Sequence, residues 1–412
     1  MQTTRRDLLK VGLQGLSVVS LAGSMPAFLQ RFAFAENAGN ADVSNDNVLV
    51  VVQLSGGNDG LNTVVPLGND AYFKARPKIA IKDRLLKLDD QLALNPGMTG
   101  FKQLFDDGKL AIVNGCGYPQ PNRSHFRSME IWHTANPKKF EPCGWLGHYL
   151  DHCLKGTNSP IVAANIGSEL PQALVADGAP VPSISSLEDF RLRIDGANPL
   201  DAKLTDEFIR EINAARAESP ALQYLSRQAT NAIISADKIR KLSAGYKPDA
   251  VYPYGGLGPS LKLIAQMIHA NFGTRLFYCQ IGGFDTHANQ VAGHESLLGH
   301  VATSLAAFMK DLGAKGLDSK VTAMCFSEFG RRVNQNDSNG TDHGAAAPMF
   351  VLGGKVKAGL YGTYPSLTQL DDGDLKYTVD FRQIYATILD KWLNADAEKV
   401  LNGKFTGLPL YG

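Results

Sequence analysis

The chain lacks most of the features that assign a protein to a specialised class. Its formal charge is nearly balanced, +1 over 412 residues, so it has neither the basic excess of a nucleic-acid binder nor the polybasic patch of a lipid-surface protein. It has only five cysteines, Cys116, Cys143, Cys153, Cys279 and Cys325. Three lie in or beside apolar, strand-like runs, where a thiol behaves as a small hydrophobe. An odd number so placed argues against a disulfide framework and leaves a Cys143–Cys153 bridge as the one pairing open in an oxidising compartment. There is no internal repeat, charge run or low-complexity tract, and neither a dinucleotide nor a nucleoside triphosphate motif. What remains is ordinary globular material, 44% hydrophobic and 20% charged, enough to bury a large core.

The amino terminus is the first informative stretch. Arg5 and Arg6 precede a moderately apolar segment, Val11 to Ala22, and then Ala33-Phe34-Ala35. Paired arginines, a short apolar region and an A-x-A site form a twin-arginine export signal, cleaved after Ala35. Gly12, Gln14, Gly15 and Gly23 interrupt the apolar segment, which falls short of the roughly 20 residues a spanning helix needs. The expected organisation is a signal over 1–35, a flexible leader over 36–46 and one domain over 47–412. The twin-arginine translocase is the expected export partner, the destination is the periplasm or the exterior, and no stable membrane anchor survives cleavage.

The chain is organised around V-L-V-V-V-Q-L-S-G-G-N-D-G-L-N-T-V-V-P-L, residues 48–67. A β-branched run of this length suits a strand covered on both faces, as in a parallel sheet flanked by helices. It ends in glycines that permit positive φ and close approach, with Asp59 presented at the strand's carboxyl end, where open α/β sheets bind ligands. Further strands are expected at Leu110–Asn114, Pro160–Ile166, Arg275–Ile281, Lys320–Phe326 and Met349–Leu352. Helical patterns are expected at 98–107, 126–154, 258–271, 290–312 and 381–393. Strands alternating with helices indicate a doubly wound, mostly parallel α/β sheet. The stretch 177–199 reads as an irregular surface excursion, and apolar residues at intervals of three and four mark a helical insertion around 205–247.

Polar residues follow several of these strands. The 275–281 run empties into G-G-F-D-T-H, which holds Asp285 and His287. The 320–326 run empties into S-E-F-G-R-R, which holds Glu328 and Arg331. G-T-D-H-G, with Asp342 and His343, precedes the last strand. Turns that follow parallel strands share one edge, so Asp59, Asp285, His287, Glu328, Asp342 and His343 are expected to converge as metal ligands. Carboxylates and imidazoles without cysteine suit Zn, Mn, Mg, Fe or Ca. Six candidates exceed the needs of one catalytic metal, so the expectation is one or two divalent ions; a pair about 3.5–4 Å apart could hold both oxygens of a displacement at phosphorus or sulfur. Ser124 is the best-placed hydroxyl, between Arg123 and His125, with Arg123 and Arg331 as anion contacts. The remaining histidines default to packing or surface roles, with His294 and His300 as the exceptions to watch.

At these motifs, together with N-R-S-H-F-R-S-M-E over 122–130, the chain resembles a bacterial family of unknown function, domain of unknown function 1501. That family is exported by twin-arginine signals and placed distantly in the alkaline phosphatase and sulfatase superfamily. The resemblance implies an alkaline-phosphatase/sulfatase-like fold, a first-strand metal-binding Asp at Asp59 and a nucleophile at Ser124. It also implies metal ligands at Asp285, His287, Glu328 and His343. Phe329 stands where the superfamily carries the second member of an Asp-His pair, which implies one imidazole ligand fewer.

Two functions are compatible with these residues. The first is a periplasmic metal-dependent hydrolase of a phosphate or sulfate ester, its substrate a small-molecule or glycan anionic ester and not a nucleic acid. The second is a non-catalytic binding or secretion-associated protein that keeps the fold and one structural metal. The export reading predicts that replacing Arg5 and Arg6 together by Lys leaves the uncleaved chain in the cytoplasm. Cell fractionation and the mass of the product check this, and normal cleavage after Ala35 in that variant would refute it.

Overall fold

The computed structural model describes residues 46–153, 161–178, 181–184 and 245–412. The export signal, the leader up to residue 45, most of the 177–199 excursion and the helical insertion over 205–244 lie outside the described residues. In chain order the elements are β1 (Val48–Leu54), α1 (Gly60–Thr63), β2 (Val64–Pro66), α2 (Asp70–Ala75), β3 (Leu86–Lys87), β4 (Leu92–Leu94), α3 (Thr99–Asp106) and β5 (Leu110–Gly117). Then come α4 (His125–Thr134), α5 (Trp145–Cys153), β6 (Ala163–Ile166), α6 (Leu257–His269), β7 (Leu276–Ile281), α7 (Gln290–Ala314) and β8 (Val321–Phe326). The chain closes with β9 (Ala347–Gly353), β10 (Gly359–Tyr361), β11 (Val379–Asp380), α8 (Phe381–Thr387) and α9 (Ala397–Leu401).

The main sheet has the order β10-β5-β9-β8-β1-β7-β6, with β11 paired to β5 beyond the end of β10. β1 lies between β7 and β8, parallel to both, with Val51 opposite Tyr278 and Met324. Its side chains alternate between two cores, which is why the run is continuously apolar. Val48, Val50, Val52 and Leu54 join Phe101 of α3, Leu261 of α6 and Phe308 of α7 on one face. Leu49 and Val51 join Trp132 of α4, Trp145 of α5 and Tyr385 of α8 on the other. Helices therefore cover both faces of a mostly parallel sheet, the doubly wound arrangement expected from the alternating pattern.

One strand departs from the parallel direction, and the departure positions the site. β9 runs antiparallel to β8 and to β5. The loop that enters an antiparallel strand opens on the same edge as the loops that leave its parallel neighbours. Asp342 and His343 precede β9, yet they lie at the carboxyl edge with the residues that follow β1, β5, β7 and β8.

Other differences are local. The helix expected over 126–154 is two helices, because Ala135 ends α4 in a left-handed conformation and the Asn136-Pro137 and Glu141-Pro142 steps oppose continuation. A three-stranded antiparallel sheet, β2-β4-β3, was not anticipated; its strands are too short to display a period of two. The final helix continues past Thr387 as a single π-helical turn, Ile388–Trp392. Cys143 and Cys153 are both free thiols.

The α3 face is a direct test of this packing. Phe101 is fully buried and meets Phe350 of β9 edge-on, ring centroids 5.0 Å apart. Phe101→Ala should lower stability by about 3–5 kcal/mol in chemical denaturation, whereas Phe101→Leu should cost well under half of that.

Candidate metal centre

The turn after β1 is shaped by close backbone approach. Gly56 has φ +121°, and a Cβ there would lie 2.4 Å from the Asp285 backbone nitrogen; one on Gly57 would lie 2.3 Å from the Phe329 ring. Side chains at either position would push the loops after β7 and β8 away. Asn58 donates its backbone N–H to Ser327 Oγ at 2.9 Å, and Gly56 donates its own to Glu328 Oε1 at 2.8 Å. The first turn of α4 is tied to the same place. Ser128 Oγ donates to the Glu328 carbonyl and lies 2.9 Å from the Tyr118 hydroxyl.

On this frame three imidazoles turn toward one carboxylate. His343 Nδ1 lies 2.8 Å from the Arg123 carbonyl, which can only accept, so the ring proton sits on Nδ1 and Nε2 is bare. His287 Nδ1 faces Asp342 Oδ1 at 3.3 Å, and His125 Nδ1 faces Glu328 Oε1 at 2.8 Å; both carboxylates draw the proton to Nδ1 in the same way. The bare nitrogens converge on Asp285. His343 Nε2 is 3.1 Å and His287 Nε2 3.0 Å from its Oδ1, and His125 Nε2 is 3.5 Å from its Oδ2. The Nε2 atoms of His287 and His343 are themselves 3.0 Å apart.

In these tautomers three bare imidazole nitrogens face the two oxygens of one carboxylate with no hydrogen of their own to share, an arrangement that a cation resolves. Edges of about 3.3 Å follow from tetrahedral coordination with zinc–nitrogen bonds near 2.05 Å; the separations among His287 Nε2, His343 Nε2 and Asp285 Oδ1, 3.0–3.1 Å, are close to that size, while His125 Nε2 approaches the other carboxylate oxygen at 3.5 Å. The outer oxygens on each Nδ1 are the partners that fix ligand rings in metal sites. Among the described residues, His125, Asp285 and His343 form a set whose candidate ligand atoms all lie within 4.8 Å of one another. Three imidazoles and one carboxylate suit Zn, Mn or Fe better than Mg or Ca, which prefer oxygen.

Asp285 is ready for this role. Burial alone would raise its pKa, but the hydrogen bond and the charge of Arg331 outweigh it and hold the carboxyl below the usual carboxylate range. It is therefore an anion at any ordinary pH. Phe329 is buried beneath the cluster, its ring centroid 4.9 Å from that of His125 and 4.7 Å from that of His343, and forms an apolar wall where the resemblance implied a ligand.

The structure distributes the expected site residues unevenly. Asp285, His287 and His343 meet, with Asp342 behind His287. Glu328 stands behind His125 and orients its ring, its Oε2 3.1 Å from Ser327 Oγ. Asp59 has a different partner. Its carboxylate is fully buried against Arg76 Nη1 at 2.6 Å, receives the Gln290 amide and caps α1. Burial would raise its pKa, but Arg76, His294 and Gln290 together hold it below the usual carboxylate range.

Arg331, expected to contact an anion, is buried and fully engaged. Its guanidinium donates to the carbonyls of Gly57, Thr341, Gly56 and Phe284 and to Asp285 Oδ1. Ser124 is exposed at the N-cap of α4 with no side-chain cap hydrogen bond. Arg123 pairs with Asp372 and Asp374. His294 is a packing residue, with Nε2 2.8 Å from Asn58 Oδ1 and its pKa lowered by burial to about 4. His300 Nε2 accepts the Leu257 N–H at the start of α6. His125 is the member of the cluster that sequence reasoning missed. The N-R-S-H run after β5 was noted, but only its Arg and Ser were given roles.

Residues 215–408 match the model of a family described as protein of unknown function (DUF1501). The match is to DUF1501. The DUF1501 region carries Asp285, His287, Glu328, Asp342 and His343, while His125 lies upstream of it. No curated protein matches. Among solved structures the chain is similar to an alkaline phosphatase from the Antarctic bacterium TAB5, at 11% identity over 77% of this chain and 94% of that one, with a TM-score of 0.32. It is similar to the PsFucS1 sulfatase from Pseudoalteromonas sp., at 11% identity over 93% and 75%, with a TM-score of 0.40. It is similar too to the lipoteichoic acid synthase LtaP from Listeria monocytogenes, at 9% identity over 81% and 71%, with a TM-score of 0.31.

The buried Asp59–Arg76 pair yields a stability test. Arg76→Met leaves an uncompensated buried carboxylate and should cost about 3–5 kcal/mol, most of it recovered in the Asp59→Asn, Arg76→Met double variant. Denaturation midpoints of the two variants measure this; equal losses in both would show that the pairing is not what Arg76 contributes.

Proposed function

We propose that the protein is a metal-dependent hydrolase of a phosphate or sulfate ester, with one divalent cation held by His125, Asp285, His287 and His343. The observation that carries the reading is the convergence of three Nε2 atoms, each with its Nδ1 anchored on an oxygen, upon one ionised carboxylate. A bound cation would supply Lewis-acid stabilisation of charge on the ester oxygens. The chain's own residues do the rest. Glu328, Asp342 and the Arg123 carbonyl keep the rings in register, and Arg331 holds Asp285 in place. Phe329 excludes water from one side. The Ser124 hydroxyl, free of a capping bond at the start of the ten-residue α4, is the nucleophile of the proposal. Negative charge developing there is favoured by the amino end of the helix.

The proposed setting is the periplasm or the exterior, reached through the twin-arginine translocase, and the proposed substrate is a small-molecule or glycan ester. Among the described residues no helix is long and apolar enough to cross a membrane. A second reading, a non-catalytic protein that keeps one cation, is favoured by the Asp59–Arg76 pair. It removes one expected ligand from the edge and leaves no set for a second metal among the described residues.

Elemental analysis of protein purified through its native export route should give a metal-to-protein ratio near one, falling to near zero in His343→Ala. Asp342→Ala, which loses only an outer partner, should weaken metal affinity about ten- to a hundredfold. Wild-type protein that binds no divalent metal would overturn the proposal. Metal retained without turnover of any phosphate or sulfate ester would favour the second reading.

A further inference from the structure

Beside the candidate metal centre, two arginines share one exposed carboxylate. Arg123 and Arg332 are each attached to a segment that holds the imidazole cluster. The Arg123 carbonyl accepts from His343 Nδ1, and the Arg332 backbone N–H donates to the Asp342 carbonyl at 3.0 Å. Both side chains are about one-third exposed, at 37% and 35%. They meet the turn Asp371–Asp374, a two-residue hairpin in which Asp372 has φ +47° and Gly373 φ +82°.

The two acids of this turn differ. Asp374 is a fixed counter-ion. Its side chain is only 4% exposed, 2.7 Å from Arg123 Nη2 and 3.6 Å from Arg332 Nε. The Asp372 side chain is 79% exposed, and its Oδ2 spans the pair, 3.0 Å from Arg123 Nη2 and 3.4 Å from Arg332 Nη2. Exposed ion pairs of this kind hold weakly, because water and salt screen them. If the Asp372 side chain swings out, two guanidiniums, still held by the Asp372 carbonyl at 3.3 and 2.9 Å, face one remaining carboxylate, and a net positive charge opens one residue away from Ser124. Guanidiniums suit tetrahedral oxyanions because their donors match two oxygens at once.

We propose that Arg123 and Arg332 form an anion subsite next to the metal centre, and that Asp372 occupies it in the free protein as a displaceable internal carboxylate. Resting on the hydrolase reading, this narrows the substrate to a phosphate or sulfate ester that carries a second anionic group close to the scissile one. Asp372 then acts as a gate: a substrate with the second group displaces it, and one without it competes poorly. Arg332, rather than the buried Arg331, is the partner of Arg123.

The test uses the full mature chain, prepared metal-free so that anion binding is read apart from catalysis, with inorganic sulfate and inorganic phosphate as probes in calorimetric titrations. Asp372→Ala should tighten binding of at least one probe by about one-and-a-half- to fivefold, the range set by losing an exposed ion pair. Arg332→Gln in the same background should abolish that gain. An unchanged dissociation constant in Asp372→Ala overturns the proposal, as does a gain that survives Arg332→Gln. The two readings fail separately. A gain without turnover of any ester leaves the subsite standing and removes the hydrolase, whereas turnover with no gain removes the subsite alone.

Discussion

Arg331 lies beneath the polar edge with almost no exposure, and its donors reach backbone carbonyls in the loops after β1 and β7 and before β9, as well as Asp285. A buried guanidinium is costly to desolvate and is tolerated only when its hydrogen bonds are satisfied. Here satisfying it requires several loops to be in place at once. The same contacts set the position and charge of Asp285, and the imidazoles are arranged around that carboxylate. The site therefore depends on a residue whose guanidinium serves the carboxylate and the loops, while its backbone pairs with that of His343 in an antiparallel bridge.

The sheet supplies the second constraint. Because β9 runs antiparallel between β8 and β5, its entry loop lies on the carboxyl edge and brings Asp342 and His343 to Asp285 and His125. A parallel sixth strand would place that loop at the opposite end of the sheet. The Gly56 and Gly57 turn adds the close approach that lets Phe329 and the Asp285 backbone pack directly against β1. Backbone direction, more than any single side chain, turns separate sequence motifs into one centre.

Several assignments came from reading residue types at strand ends. Asp285, His287 and His343 were legible because each follows or precedes an apolar run and sits among glycines, the pattern of a turn exposed at a sheet edge. Asp59 fits the same pattern and met a different fate. Its partner Arg76 is 17 residues away, on a short stretch with no period to announce it. His125 was overlooked for a different reason. It stands just before the helix expected from residue 126 and was read only as a neighbour of Ser124, so its own ring was given no role.

By itself the sequence determined the layered α/β architecture, since the continuous apolar strand runs and their alternation with helical stretches are local consequences of burial between two layers of helices. It also determined that acids and imidazoles cluster at strand ends. Only the tertiary structure decided which of them meet. Whether a carboxylate faces an imidazole, a guanidinium or a peptide N–H depends on strand direction and loop contact between residues tens to hundreds of positions apart. Asp59 against Arg76, Glu328 behind His125 and Asp372 across two arginines are all choices of that kind.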